Sequence, residues 1–258
     1  MRSAVLSIGK EIVAGVTLDT NSHFISSYLT RLGFLNRFIS AVDDNKDDIV
    51  DSVRFLLDRV DILITTGGLG PTFDDMTLES IAEALGKNLY LDSEALKYVQ
   101  EFYEKLYKQG KIDSPLLNDK RKKMAYLIEG CTPLKNKVGA AWGVYLKDGD
   151  KHIFCLPGLP KEMKPMFESE VLSILEELSD RVSLIREIVV DINDESVLGR
   201  FIDEVMKNHD VYIKSLPEGF DNRKMGVRFT AFGKSKEEAE QKIENALGEL
   251  LKLINQHN

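Results

Sequence analysis

The stretch from Asp61 to Thr77, DILITTGGLGPTFDDMT, constrains this chain more than any other. Ile62 to Ile64 is a short apolar run with turn signals behind it, the pattern of a central parallel strand covered on both faces. Gly67, Gly68 and Gly70 allow positive φ angles and let a ligand approach the backbone with no Cβ in the way. Pro71 fixes one turn, and Thr77 with Glu79 and Ser80 suits the first turn of a helix over Ile81, Ala82 and Leu85. A helix start offers unpaired N–H groups to an anion. Asp74 and Asp75 repel a bare phosphate, so the combination points to a divalent cation between carboxylates and phosphate oxygens.

The segments before it repeat one pattern. Ala4 to Ile8 is an apolar strand followed by Gly9-Lys10-Glu11 and Gly15. Asp19-Thr20-Asn21-Ser22 supplies capping side chains to a helix over Phe24, Ile25, Tyr28, Leu29 and Leu32, closed by Gly33. Phe34 to Val42 is a second strand ending in Asp43-Asp44-Asn45, and Asp47 and Asp48 open a helix carrying Ile49, Val53, Leu56 and Leu57. This β-α-β-α-β order predicts a parallel sheet with right-handed crossovers and a ligand site outside the carboxyl ends of its strands. Glu11, the Asp43-Asp44 pair and the Gly67 to Asp75 loop follow three successive strands and are expected at one sheet edge. Asp and Gly are also ordinary turn and cap residues, which explains any one of them but poorly explains all three strand ends together.

Composition removes several function classes. A net charge of −8 leaves no basic stripe for nucleic acid. The dense basic run Lys120-Arg121-Lys122-Lys123 reads as the solvated face of a helix, or places one charge near a substrate phosphate. No apolar run approaches the roughly 20 residues that cross a bilayer, and the N-terminus reads as a strand, so a cytoplasmic protein without membrane partners is expected. Cys131 and Cys155 lack CxxC spacing, so neither a disulfide framework nor a zinc site is indicated, and the four histidines form no ligand pair, which argues against a histidine-based metal site.

After the central stretch, Asn88 to Leu91 is extended, and Asp92-Ser93 caps a long helix over Leu96, Val99, Phe102, Tyr103 and Leu106, aromatics at a spacing that reads as core. Pro115 is expected to start a further helix through Met124. A small-residue loop, Asn136 to Gly143, leads to a hairpin of Val144 to Leu146 and Ile153 to Leu156. Pro157-Gly158-Leu159-Pro160 then opens a helix to Leu178, with Pro160 at its first position. From about residue 180 a β-α-β-β-α order predicts a small α+β domain without a catalytic cluster, and Asp221-Asn222-Arg223 reads as an exposed loop.

Taken together, Gly9-x-Glu11, Asp19-Thr20-Asn21-Ser22, Asp43-Asp44, Thr66-Gly67-Gly68-Leu69-Gly70-Pro71-Thr72-x-Asp74-Asp75-x-Thr77, Asn136-x-x-Gly139 and Leu156-Pro157-Gly158-x-Pro160-x-Glu162-Met163 resemble the CinA family of competence/damage-inducible proteins. The match spans roughly residues 1 to 178. It implies a molybdopterin-binding-like, three-layer α/β domain with a mostly parallel sheet at 1–178, followed by a small α+β domain at 180–258. It departs from the family at Gly139-Ala140-Ala141-Trp142-Gly143, where relatives often carry Gly-Thr-Ala-Pro-Gly; Trp142 then stacks on a base or packs in the loop.

The resemblance further implies divalent-metal-dependent pyrophosphatase activity on ADP-ribose, giving AMP and a sugar phosphate, with FAD as a related substrate. On that reading Asp44, Asp74 and Asp75 are catalytic. Gly67, Gly68, Gly70, Thr72, Thr77, Asn136, Gly139, Pro157 and Gly158 bind the nucleotide diphosphate. Asp44, Asp75, Glu11 and Glu162 hold magnesium, manganese or cobalt. The deamidase domain many relatives carry is expected to be absent, and a dimer or trimer is expected. The alternatives are a non-hydrolytic pterin- or molybdopterin-binding protein, and a regulatory module with a vestigial site.

Overall fold

The computed structural model describes residues 1–192, 194–216 and 224–257. They divide into two compact units, Met1–Leu29 with Phe34–Leu178, and Thr30–Gly33 with Ser179–Asn258.

The first unit opens with strand β1 (Arg2–Ile8), the short helix α1 (Lys10–Val13), α2 (Thr20–Arg31), β2 (Leu35–Val42), α3 (Lys46–Leu57) and β3 (Ile62–Thr66). Then come α4 (Thr77–Ala84), β4 (Leu89–Leu91), α5 (Ser93–Lys108), α6 (Asp119–Lys123), β5 (Tyr126–Ile128) and β6 (Thr132–Leu134). The hairpin of β7 (Gly143–Asp148) and β8 (Lys151–Leu156) precedes α7 (Pro160–Met166), a π-helical turn (Phe167–Val171) and α8 (Leu172–Leu178).

The main sheet has the order β2-β1-β3-β8-β7-β6. β2, β1, β3 and β8 run parallel, while β7 and β6 are antiparallel additions at one edge. This is the α/β fold with a mostly parallel sheet that the alternating elements predict. β3 is buried along its whole length, and β2 at the edge alternates between exposed and half-buried, as its position requires. Pleat alternation sends Ala4, Leu6, Leu63, Ile153 and Cys155 to one face, where they join Val53 and Leu56 of α3, Ile81 of α4 and Val99 of α5 in a continuous core. Val5, Ile62, Ile64 and Phe154, all fully buried, face the other way. Phe24 and Tyr28 of α2 pack edge-on against Phe167 of the π turn, with ring centroids 5.6 and 5.2 Å apart.

Two expectations change. The helix predicted from Pro115 spans only Asp119–Lys123, because Asn118 Oδ1 accepts the Arg121 N–H at 3.0 Å and starts it late. The Arg121 guanidinium also donates to the carbonyls of Ser114 at 2.8 Å and Leu116 at 2.7 Å, which holds the preceding residues outside the helix. The helix predicted from Pro160 to Leu178 does begin with Pro160 at N1, but it widens into the π turn just past Pro165, a residue with no N–H to give to the helical ladder.

The second unit contains β9 (Val182–Asp191), α9 (Glu195–Asn208), β10 (Val211–Leu216), β11 (Lys224–Gly233) and α10 (Lys236–His257), with an antiparallel sheet ordered β10-β11-β9. Its own core joins Leu198 and Val205 of α9, Val227 and Phe229 of β11, and Ile243 and Leu250 of α10. The loop expected at Asp221-Asn222-Arg223 lies outside the described residues. Among the described residues, no helix is long and apolar enough to cross a membrane.

Candidate functional site

Strands β1, β2 and β3 end side by side, and their last residues carry the site. Gly9 donates its N–H to the Val42 carbonyl at 3.0 Å, and Lys10 donates its N–H to Asp44 Oδ2 at 2.8 Å. Asp44 therefore receives the first turn of α1, while α3 is capped by its neighbour Asn45, whose Oδ1 accepts from Asp47 and Asp48. Burial pushes the Asp44 carboxyl above its ordinary range. The Lys10 N–H opposes that shift, and the charges of Glu11, Asp74 and Asp43 reinforce it.

After β3 the chain turns through Gly67, at φ 103°, and Gly68, at φ 67°. A Cβ on Gly67 would stand 2.1 Å from the Ile8 carbonyl oxygen, and one on Gly68 would stand 2.2 Å from Thr77 Oγ1. These glycines are therefore demanded by the packing of the loop on β1 and α4, whatever a ligand adds. Asp75 folds back under Gly70, its Oδ2 accepting from the Thr72 N–H at 2.8 Å and the Thr72 hydroxyl at 2.5 Å. The Thr72 side chain and the Asp74 backbone N–H hold the Asp74 carboxyl below the usual range. Lys123 spans to the loop and donates to the Thr72 carbonyl at 2.8 Å.

These groups line one pocket of about 640 Å³. Glu11, Asp44, Asp74 and Asp75 form its acidic wall, and Gly67, Gly68, Gly70 and Thr72 its loop wall. Gly139, Pro157, Gly158 and Glu162 border it from the other connections. Thr77 and Asn136, expected to touch a ligand, do not line it. Thr77 is fully buried; its hydroxyl donates to the Gly67 carbonyl at 2.8 Å and its N–H to the Gly68 carbonyl at 3.1 Å. That N–H of α4 is thus already taken, so an anion cannot use it. Asn136 is 1% exposed and fully engaged. Its Nδ2 donates to the Ala141 carbonyl and to Glu162 Oε2, and its Oδ1 accepts from the Val138 and Gly139 N–H groups. It organises the loop that carries Gly139. Trp142 is buried and packs on Tyr98 at 5.6 Å between centroids, which is the packed-loop reading of that indole.

Among the described residues, no group of three or more His, Cys, Asp or Glu side chains is arranged to hold a metal ion. The four expected ligands share the pocket but are drawn apart, Glu162 toward Asn136 and Asp75 toward Thr72. The buried Asp74 Oδ1 lacks a hydrogen-bond partner, and Asp44 is crowded by like charge. These residues fit an ion held by one or two carboxylates together with ligand phosphates rather than a cage made by the protein alone.

Sequence reasoning missed two parts of the site. Phe102 and Tyr103 of α5, with Met124, form an apolar wall. They continue the stripe begun by the buried Ala95 and Val99, so periodicity alone reads them as core. Asp19 and Asn21 carry cap signals in the sequence, yet both line the pocket. Asp19 accepts the Ser7 hydroxyl at 2.6 Å and the Ser22 N–H at 2.9 Å, and Asn21 Nδ2 donates to the Gly158 carbonyl at 2.7 Å.

The comparisons with known proteins agree with this architecture. A protein of Pyrococcus furiosus is 44% identical over 221 residues, covering 85% of this chain and 86% of the relative. One of Pyrococcus abyssi is 41% identical over 245 residues, 95% of each. The crystal structure of the protein CinA, of unknown function, from Thermoplasma acidophilum is 36% identical and superposes with a TM-score of 0.61, covering 67% of this chain and 99% of that one. Residues 4–177 match the model of the family described as "Probable molybdopterin binding domain". With the sheet order and the strand-end pocket, these matches place the chain in that molybdopterin-binding-type domain family, as a CinA-like member.

Proposed function

We propose that the first unit binds a molybdopterin-type ligand, a pterin bearing a phosphate, in the pocket at the ends of β1, β2 and β3. The observation that carries this reading is the pairing of an apolar wall, Phe102, Tyr103 and Met124, with polar groups on the other walls of the same 640 Å³ space. A flat heterocycle uses the first and the hydrogen-bonding edge of a pterin uses the second. The family description supports a pterin over other heterocycles. Calorimetric titration of the full chain with a 6-hydroxymethylpterin phosphate tests it: saturable binding supports the reading, and no heat at high micromolar ligand sinks it.

A second reading rests on the acidic wall. The like charges of Glu11, Asp74 and Asp43 around Asp44 are of the kind a divalent cation relieves. Magnesium, manganese or cobalt arriving with a nucleotide diphosphate such as ADP-ribose would meet Asp44 and Asp74, neutralise phosphate oxygens and acidify a water. AMP release from ADP-ribose, with each metal and with EDTA, decides it. An Asp75→Asn protein that hydrolyses ADP-ribose as fast as its parent removes that carboxylate from any such chemistry.

A further inference from the structure

The antiparallel sheet of the second unit is covered by its own helices on one face only. Ile213 of β10 and Val227, Phe229 and Ala231 of β11 turn into the core with α9 and α10, and Arg186 of β9 reaches Glu240 and Glu244 of α10 on the same side. Pleat alternation sends the residues between them to the opposite face. There Ile185, Tyr212 and Val189 stand 47%, 59% and 67% exposed, at positions where a one-sided sheet normally carries polar side chains.

The strand register arranges that face in rows running across β10, β11 and β9. Tyr212, Thr230 and Ile185 form one, Lys214, Arg228 and Glu187 the next, and Leu216, Gly226 and Val189 the third. A charged row thus lies between two rows with apolar ends. Within it the Arg228 guanidinium pairs with Glu187, Nη2 to Oε1 at 2.6 Å, and both side chains remain about half exposed. Lys214 is exposed on the other side of Arg228, cation beside cation, and among the described residues it has no ion-pair partner. Like charges directly opposite on neighbouring strands oppose the pairing.

We propose that this sheet face docks a second copy of the chain, sheet against sheet, about a two-fold axis running along β11. Two sheets packed face to face with aligned strands admit two placements of such an axis. With the axis along the strands, β10 of one copy lies over β9 of the other. Lys214 then meets the partner's Glu187 at both ends of the charged row, Tyr212 meets the partner's Ile185 and Leu216 the partner's Val189. With the axis across the strands, Lys214 would meet Lys214 and Glu187 would meet Glu187. Charge therefore selects the first arrangement, which gives Lys214 the acid it lacks within its own sheet and closes the apolar ends of the rows on one another.

Sedimentation velocity of the full chain between about 1 and 200 μM tests this, with circular dichroism confirming that each variant is folded. The parent is expected to pass from monomer to dimer across that range. Lys214→Glu and Glu187→Lys each set like charges opposite one another at both contacts, and each is expected to weaken self-association roughly tenfold or more. An equimolar mixture of the two variants restores opposite charges at both contacts and is expected to dimerise as the parent does. The double variant, Lys214→Glu with Glu187→Lys, is expected to do the same, and it leaves Arg228 a carboxylate neighbour at position 214. Should Glu187→Lys alone fail to fold, Lys214→Glu and the double variant carry the comparison by themselves. A parent that stays monomeric throughout overturns the proposal, as does an assembly whose mass neither substitution changes. Loss of association that neither mixing nor the double substitution restores marks a merely structural effect and overturns it too.

Discussion

The hydroxyl of Thr77 at the start of α4 donates to the carbonyl of Gly67 at the end of β3 across 2.8 Å, closing the glycine loop into a ring with the helix it feeds. Residues that read in the sequence as phosphate contacts are therefore first of all the fastening of the pocket's own wall. Thr77→Val keeps the side-chain volume and strips the donor from a buried carbonyl. It is expected to cost about 1–3 kcal/mol of stability in urea unfolding, whereas Thr77→Ser retains most of it.

Gly67→Ala tests the same wall from its other side. The backbone φ of 103° and the Ile8 oxygen 2.1 Å from the new Cβ oppose the substitution together. A loss of at least about 1–3 kcal/mol is expected, with the pocket distorted even in the molecules that fold. A variant as stable as its parent would show that the loop is not held against β1 as described.

The apolar wall has the opposite signature. Phe102 and Tyr103 line the pocket, and their truncation removes ligand contact along with some core packing at the end of the Ala95 and Val99 stripe. Phe102→Ala is expected to weaken pterin binding at least tenfold, measured by calorimetry at a temperature where circular dichroism shows the variant folded. Unchanged affinity would place the ring elsewhere.

The outline of the first unit was legible because its helices and parallel strands announce themselves by periodicity and by short connections between β1 and β3. What escaped was the pairing of β4 with β5, three-residue strands far apart in sequence, and the three-residue β6 that pairs with β7. In the site, the strand-end rule located Asp44, Asp74 and Asp75, since topology alone sends those loops to one edge. It could not say where each side chain turns. Thr77 and Asn136 look outward in the sequence and are spent on loop carbonyls, N–H groups and Glu162 in the structure. Phe102 and Asn21 carry ordinary core and cap signals, and only packing shows that they end at the pocket.

Asp44 supplies a prediction whose sign follows from its surroundings. Burial is the main cause of its raised pKa, and the nearby charges of Glu11, Asp74 and Asp43 add to it. A folded-state pKa above the unfolded one gives a contribution present in full below the ordinary carboxyl value of 3.8 and lost as pH rises through the folded value. At neutral pH the ionised Asp44 therefore weakens the fold. Asp44→Asn, which can still accept the Lys10 N–H, is expected to raise the thermal midpoint near pH 7 and to abolish any metal-dependent turnover. A lower midpoint would contradict the charge crowding.

His152 behaves conversely. It is 6% exposed, its Nδ1 lies 2.7 Å from the Tyr145 hydroxyl, and burial pushes its pKa below the ordinary imidazole value of 6.5. A depressed folded pKa means that stability present above the unfolded value is lost as pH falls from about 6.5 through the folded value. Thermal midpoints between pH 8 and about 5 should fall more steeply for the parent than for His152→Gln, with 6.5 as the onset. Parallel curves would contradict the buried neutral imidazole.

The most direct test of the central reading is calorimetric titration of the full chain with 6-hydroxymethylpterin phosphate, with and without EDTA. The account predicts saturable binding at one ligand per chain that survives the chelator, since the apolar wall needs no ion. The absence of binding, alongside metal-dependent AMP release from ADP-ribose by the same preparation, would contradict it and leave the acidic wall as the working part of the pocket.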